Sequence, residues 1–227
     1  MKRSFFAALF VYLSFTAATA QIFPVDTANL NNAYKRLASE GHTAKTEMEF
    51  LDAYPTTWLE FYMTYTPVYD DGHQNMMCEM CSEHISTLFS LSCINDTVFC
   101  KKIVNLTVGM KDSGECTSVY QDYLVGYVLS QEELVLNYLS KLRKGHQMQF
   151  WQFCWSTVTE CSRAEHFKEL YNRNKNIYPE LMEISRTAFE YFYDGINYPN
   201  LLPHKEEVES RKFINRDYKL IYNDYEK

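Results

Sequence analysis

No proline occurs in residues 68–178, and this gap sets the first limit on the fold. Proline lacks a backbone N–H and breaks helices, so a long stretch without it is typical of helical protein. Glycine is also scarce, at 7 of 227 residues. The commonest tight β-hairpin turns need glycine, so this shortage disfavours hairpins. The two shortages together predict a chain of successive helices.

Signals for helix ends recur along the chain. They are Thr43, Asp96 and Pro179 as starts, and Gly41 and Gly109 as stops. The pairs Ser130 with Glu133 and Ser162 with Glu165 fit the capping-box pattern. We therefore predict an all-α domain of about eight or nine helices, either irregular or built of short solenoid-like helical pairs.

Two segments have a clear helical period of apolar residues. In residues 77–92, one arc of the helix is apolar and contains both cysteines of a Cys-x-x-Cys motif, while serine and glutamate fill the other side. In residues 150–158, Trp151 and Trp155 stand four positions apart beside a second apolar stripe. This tryptophan helix is apolar over most of its circumference, so we predict that it is central in the fold.

The N-terminus has the pattern of a secretory signal peptide. Lys2 and Arg3 precede an apolar run at residues 5–13, and Ala18 and Ala20 form a small-x-small cleavage site. The run is shorter than the roughly 20 residues that a membrane span needs, and no later stretch is long enough. We predict a secreted or periplasmic protein, cleaved after Ala20, with no transmembrane segment in the mature chain.

The remaining chain divides into two parts. Residues 21–203 are predicted to form a single helical domain after the signal peptide at 1–20. Residues 204–227 are highly charged and form either a docked C-terminal helix or a solvated tail. Ile214, Tyr218 and Ile221 recur at helical spacing, which favours the docked helix.

Several function classes lack their sequence signatures. A net charge of −7 disfavours nucleic-acid binding, which needs a basic face. Gly109 and Gly114 are spaced like the glycines of a phosphate loop, but Glu115 stands where that loop requires lysine. No G-x-G, H-E-x-x-H or G-x-S-x-G motif occurs in the sequence. We therefore favour a non-enzymatic module that binds a protein, a peptide or a glycan. Trp58 and the many tyrosines offer stacking surfaces, although helical spacing favours core packing for them.

One cluster offers a specific chemistry, namely His73, Cys78, Cys81 and His84. Cys-x-x-Cys places two thiols one helical turn apart, and His84 lies on the same arc. Four such ligands suit zinc or copper. A redox dithiol is a second interpretation. The third is that the cysteines are buried core residues or form a disulfide. An alternative function is therefore a periplasmic metal-binding or thiol-redox protein centred on Cys78, Cys81 and His84.

The other cysteines are interpreted as structural. Cys93 with Cys100 and Cys154 with Cys161 each bracket a short segment that a disulfide could close. Cys116 has no local partner and could reach Cys78 or Cys81. Seven cysteines are an odd number, so at least one must be free, metal-bound or intermolecular.

Two segments carry a family resemblance, FLDAYPTTWLEF at Phe50–Phe61 and SKLRKGHQMQFWQF at Ser140–Phe153. With the helices between them, they resemble a group of secreted proteins of Bacteroidetes-type Gram-negative bacteria, which carry a similar aromatic-x-Ala-aromatic-Pro run. The resemblance covers about residues 21–195. It implies an exported all-helical domain and assigns no site residue.

Overall fold

The computed structural model describes residues 26–65, 77–111, 114–156 and 161–192. These ranges contain ten α-helices and no β-strand, which confirms the all-α class and slightly exceeds the predicted number of helices. The helices are α1 (Thr27–Glu40), α2 (Ala44–Ala53), α3 (Trp58–Tyr65), α4 (Cys81–Ser90), α5 (Asp96–Thr107), α6 (Glu115–Ser130), α7 (Glu132–Leu139), α8 (Lys144–Trp155), α9 (Cys161–Asn174) and α10 (Pro179–Phe192). The predicted signal peptide, His73 and the segment 204–227 lie outside the described residues.

Three of the predicted helix ends are confirmed. Thr43 caps α2, where its hydroxyl accepts a hydrogen bond from the Thr46 N–H. Gly41 follows α1 with φ of 85°, a left-handed conformation that glycine adopts without strain. Pro179 is the first residue of α10, where its missing N–H costs no helical hydrogen bond.

Three predicted caps were wrong. The cap of α5 is Asn95 and not Asp96, because the Asn95 carboxamide oxygen accepts hydrogen bonds from the first-turn N–H groups. Ser130 is the last residue of α6, and its hydroxyl donates to the carbonyl oxygen of Tyr127. Gln131 alone separates α6 from α7, so no capping box forms there. Ser162 falls within α9, after its first residue.

The tryptophan helix is central, as predicted. Trp151 and Trp155 in α8 are both fully buried, and their rings stack with centroids 5.6 Å apart. The Trp155 indole N–H donates to the Ser185 hydroxyl of α10 at 3.0 Å. Phe167 of α9 stacks on Phe189 of α10 with ring centroids 4.0 Å apart. Three helices thus share one aromatic core.

Helix packing combines sequential and non-sequential neighbours. The sequential pairs are α1 with α2, α6 with α7, and α9 with α10. Non-sequential packing places α4 on α6, α5 on α7, and α8 on α10. The α4–α6 pair positions the site described below. None of the helices in the described ranges combines the length and the apolar character that crossing a bilayer would require.

Candidate functional site

A disulfide joins the N-terminal ends of two packed helices. Cys81 is the first residue of α4, and Cys116 lies in the first turn of α6. Their sulfur atoms are bonded, and their Cα atoms are 5.9 Å apart. Cys81 was one of the two partners that the sequence left open for Cys116. The bond closes a long loop and fixes the start of α4 against the start of α6.

A cavity of about 550 Å³ opens beside this disulfide. Its lining comes from α3, from the start of α4 with the preceding turn, and from the start of α6: Phe61, Tyr62, Tyr65, Cys78, Glu79, Cys81, Ser82, Gly114, Glu115 and Cys116. We call it the disulfide cavity. Its volume lies in the range typical of ligand pockets, roughly 300–1,000 Å³.

The wall of the disulfide cavity combines aromatic rings with carboxylates. Phe61 and Tyr65 are buried, whereas Tyr62 is 41% exposed. Glu79 and Glu115 are both exposed. The cavity therefore has an aromatic interior and a negatively charged, solvent-facing side.

Cys78 is a free thiol on the same wall. It lies in the turn that precedes α4, and the Cys81 N–H donates to the Cys78 carbonyl oxygen at 3.2 Å. Its side chain is half-buried and lines the disulfide cavity. The fold thus places one thiol and one disulfide around a single solvent-connected space.

His84 lies one turn into α4 and is fully buried. Its Nδ1 contacts the Tyr65 hydroxyl at 3.1 Å, and the Tyr34 ring lies with its centroid 4.6 Å from the imidazole. Burial lowers the pKa of His84 to about 4, and the nearby Glu83 carboxylate opposes this only in part. His84 is therefore neutral at physiological pH. Tyr65 connects it to the disulfide cavity, because the same ring lines the cavity and contacts the imidazole.

The structure brings together only part of the predicted metal cluster. Cys78 and Cys81 line one cavity, but the Cys81 sulfur is bonded to Cys116. His84 contacts Tyr65 in the core, and His73 lies outside the described residues. Within the described ranges, no group of three His, Cys, Asp or Glu side chains is arranged to hold a metal ion. The zinc or copper site stays a prediction.

The expected Cys93–Cys100 disulfide is not formed in the structure, where both residues are free thiols. The physical reason is orientation: Cys100 is buried on the core side of α5, whereas Cys93 is exposed in the loop before it. Burial raises the pKa of Cys100, although a contact with Tyr127 lowers it in part. Cys154 is also a free thiol, buried in α8, and burial raises its pKa to about 12. The Cys161 side chain lies outside the described residues.

One buried carboxylate, which bonds the loop after the C-terminal end of α4, carries no signal in the sequence. Glu47 of α2 is fully buried and accepts hydrogen bonds from the backbone N–H groups of Ser92, at 2.9 Å, and Cys93, at 2.6 Å. His42 Nδ1 contacts the same carboxylate at 2.8 Å. Burial alone would raise the pKa of Glu47, but these donors together lower it. The carboxylate ties α2 to the end of α4.

The aromatic and acidic residues that line the cavity were also missed, for an identifiable reason. Tyr62 and Tyr65 fit a helical stripe, and Glu79 and Glu115 read as ordinary surface acids. These four side chains meet only because the fold brings α3, the start of α4 and the start of α6 around one cavity. The Cys-x-x-Cys motif was the single signal that pointed to this place.

Comparisons of the chain with models of known protein families, with curated proteins and with solved structures found no match.

Proposed function

We propose that this protein is an exported helical binding module and that its ligand is a basic peptide segment held in the disulfide cavity. The observation that carries this proposal is the composition of the cavity wall. Three aromatic side chains and two carboxylates surround one space of about 550 Å³. Pockets that bind ligands are mostly apolar and contain a few convergent polar groups, as this one does.

The chemistry of the wall selects the charge of the ligand. Tyrosine faces attract Lys and Arg side chains through the ring quadrupole. Glu79 and Glu115 add negative charge at the solvent-facing side of the cavity. The chain as a whole carries a net charge of −7, which favours encounter with a cationic partner. A Lys or Arg side chain next to an apolar residue therefore fits this site.

Export is part of the proposal and is supported by the sequence. The charged start, the apolar run and the small-x-small site of residues 1–20 have the order of a secretory signal. A disulfide between Cys81 and Cys116 is also typical of compartments outside the cytoplasm.

Titration of labelled synthetic peptides tests the proposal. The probes are a short peptide that alternates Lys or Arg with Phe and an analogue in which Glu replaces each basic residue. Fluorescence anisotropy is expected to show binding of the basic peptide only, and added salt is expected to weaken it. Equal binding of both peptides, or no binding of the basic one, would overturn the proposal.

Variants then locate the binding site. Tyr62→Ala and the double variant Glu79→Gln/Glu115→Gln should each weaken binding roughly threefold to tenfold, the scale of a part-exposed aromatic or ion-pair contact. The matched controls lie elsewhere on the surface. Tyr123 is 42% exposed against 41% for Tyr62, so Tyr123→Ala is the aromatic control. Exposed acids of other helices provide the second control, the variant Glu133→Gln/Glu165→Gln. Neither control should change the affinity.

Metal binding is the second candidate, and one observation favours it. Three cysteines, Cys78, Cys81 and Cys116, line the disulfide cavity, so reduction of the disulfide would leave three thiol-bearing residues around it. Thiolates are preferred ligands of zinc and Cu(I). Elemental analysis of the purified protein, before and after reduction and dialysis against each metal, tests it. Stoichiometric metal that is lost in Cys78→Ser supports the site, and no retained metal under either condition contradicts it.

A further inference from the structure

We propose that Cys78 exchanges with the Cys81–Cys116 disulfide, so that the protein interconverts between two disulfide forms. The first form is the one in the structure. In the second, Cys78 is bonded to Cys81 and Cys116 is a free thiol. This thiol–disulfide isomerisation is an activity of the cavity wall, and it does not depend on peptide binding.

The position of the three cysteines carries the proposal. Cys78, Cys81 and Cys116 all line the disulfide cavity, where Cys78 supplies the thiol. Cys78 precedes Cys81 by one turn, and a hydrogen bond between their backbones holds that turn. A bond from Cys78 to Cys81 therefore closes within one local segment and needs no movement of one helix along another. This is why Cys81, and not Cys116, is the sulfur that Cys78 attacks.

The other described thiols are poorly placed to compete. Cys100 and Cys154 are buried, and burial raises the pKa of both. Cys93 is exposed but follows the C-terminal end of α4, whereas Cys81 is at its N-terminal end. At 1.5 Å per residue, a helix of this length separates the two ends by about 15 Å. Cys93 therefore serves as a matched control, because it is an accessible thiol in the loop after α4 and is remote from the disulfide.

The exchange step balances without an external oxidant. The Cys78 thiol gives up its proton to solvent, and the thiolate Sγ attacks the Cys81 Sγ. The Cys78–Cys81 bond forms as the Cys81–Cys116 bond breaks, and the Cys116 sulfur leaves as a thiolate that takes up a proton. One disulfide and one thiol exist before and after the step. The covalent link between α4 and α6 is replaced by a short link within one segment.

Such a step would change the disulfide cavity directly. In the first form, the disulfide fixes the starts of α4 and α6 that make two sides of the cavity. In the second form, packing alone holds those sides together. Exchange would thus alter the rigidity of the wall that surrounds a ligand.

The experiment is disulfide mapping of the full chain, purified without reductant. The protein is incubated at several pH values, its free thiols are blocked with N-ethylmaleimide, and it is cleaved after glutamate. Cleavage after Glu79, Glu83 and Glu115 places each of the three cysteines on its own peptide, with Cys81 alone in residues 80–83. We expect this short peptide to be linked to the Cys116 peptide in one fraction and to the Cys78 peptide in the other. Blocked Cys116 should appear one-for-one with the Cys78–Cys81 link.

Two variants decide the result. In Cys78→Ser, the Cys81 peptide should be linked to Cys116 only, and Cys116 should never be blocked. In Cys93→Ser, both linked forms should remain in the wild-type ratio. The proposal is overturned if Cys116 stays unblocked in the wild type at every pH tested, or if Cys78→Ser still yields blocked Cys116. Circular dichroism of each variant checks that the helical fold is retained.

Peptide binding is measured on the same samples, so failures of the two proposals are distinguishable. Binding that persists when no exchange is found overturns the exchange alone. Exchange that persists when no basic peptide binds overturns the binding function alone.

Discussion

Two regions of this protein contain the same residue types in different environments. Around α8 and α10, the cysteine and the tryptophans are fully buried, as Cys154, Trp151 and Trp155 show. Around the disulfide cavity, Cys78 and Tyr62 face a solvent-connected space. Both regions are rich in aromatic side chains and sulfur. Only the second places them where another molecule can reach them.

The contrast shows that burial, more than residue type, decides what these side chains can do. Burial raises the pKa of Cys154 to about 12, which leaves it protonated and unreactive. The polar groups buried between α8 and α10 include the Ser185 hydroxyl, which does not titrate in the ordinary pH range. Helices α2 and α4 bury Glu47 and His84, which do titrate. The first region should therefore supply stability that is insensitive to pH, whereas α2 and α4 should supply the pH dependence.

The largest expected effect is on the apolar region. Trp155→Ala should lower the free energy of unfolding by about 3–5 kcal/mol, because it leaves a cavity in the aromatic core and orphans the Ser185 hydroxyl. Urea denaturation measures the change. Trp155→Phe, which keeps most of the ring volume, should cost clearly less. A loss under about 1 kcal/mol for the alanine variant would contradict a central role for α8.

The next effect concerns His84 and acid pH. Its folded pKa of about 4 lies below the ordinary value of 6.5, so the unfolded chain takes up the proton first as pH falls. Stability should therefore decrease from pH 6.5 towards pH 4, by up to about 3 kcal/mol from this group. His84→Gln should flatten that part of the pH–stability curve. The exposed His146 provides the control variant, His146→Gln, which should leave the curve unchanged.

Glu47 should affect the free energy of unfolding at a lower pH than His84 does. Its pKa is lowered in the folded protein, so its contribution is complete above the unfolded value and is lost as pH falls through the folded one. Glu47→Gln should cost about 2 kcal/mol at pH 7, since it weakens charge-assisted hydrogen bonds to backbone N–H groups. The difference from wild type should shrink at acid pH. Glu49→Gln, which removes a part-exposed carboxylate paired with Arg36 at 2.8 Å, should cost only about 0.5–1 kcal/mol.

Tyr62 should give the smallest effect on stability. Because its side chain is 41% exposed, Tyr62→Ala should change the free energy of unfolding by about 0.5 kcal/mol. The same variant is expected to weaken peptide binding, whereas the buried Trp155 matters for stability alone. A large loss of stability in Tyr62→Ala, measured by urea denaturation, would show that this ring belongs to the core.

Local sequence patterns were sufficient to predict those features that neighbouring residues determine. The scarcity of Pro and Gly predicted the all-α class, and Thr43, Gly41 and Pro179 stand at helix ends as expected. The spacing of Trp151 and Trp155 predicted a buried central helix. The capping box at Ser130 failed because the pattern does not reveal where the preceding helix ends, and α6 continues through that serine.

The site depended on contacts between distant segments, which local patterns do not contain. The partner of Cys116 was narrowed to Cys78 or Cys81, and the packing of α4 on α6 selects Cys81. The Cys93–Cys100 expectation used spacing alone and ignored that Cys100 faces the core. Glu47 bonds to a loop 45 residues away, so no periodicity could reveal it.

A short pulse of N-ethylmaleimide on the native protein, followed by mass spectrometry of peptides cleaved after glutamate, compares the two regions in one sample. We predict that Cys78 is modified during the pulse, whereas Cys154 is modified only after the protein is unfolded in urea. Modification of both cysteines at equal rates, or protection of Cys78 until unfolding, would contradict the placement of a reachable thiol beside the Cys81–Cys116 disulfide.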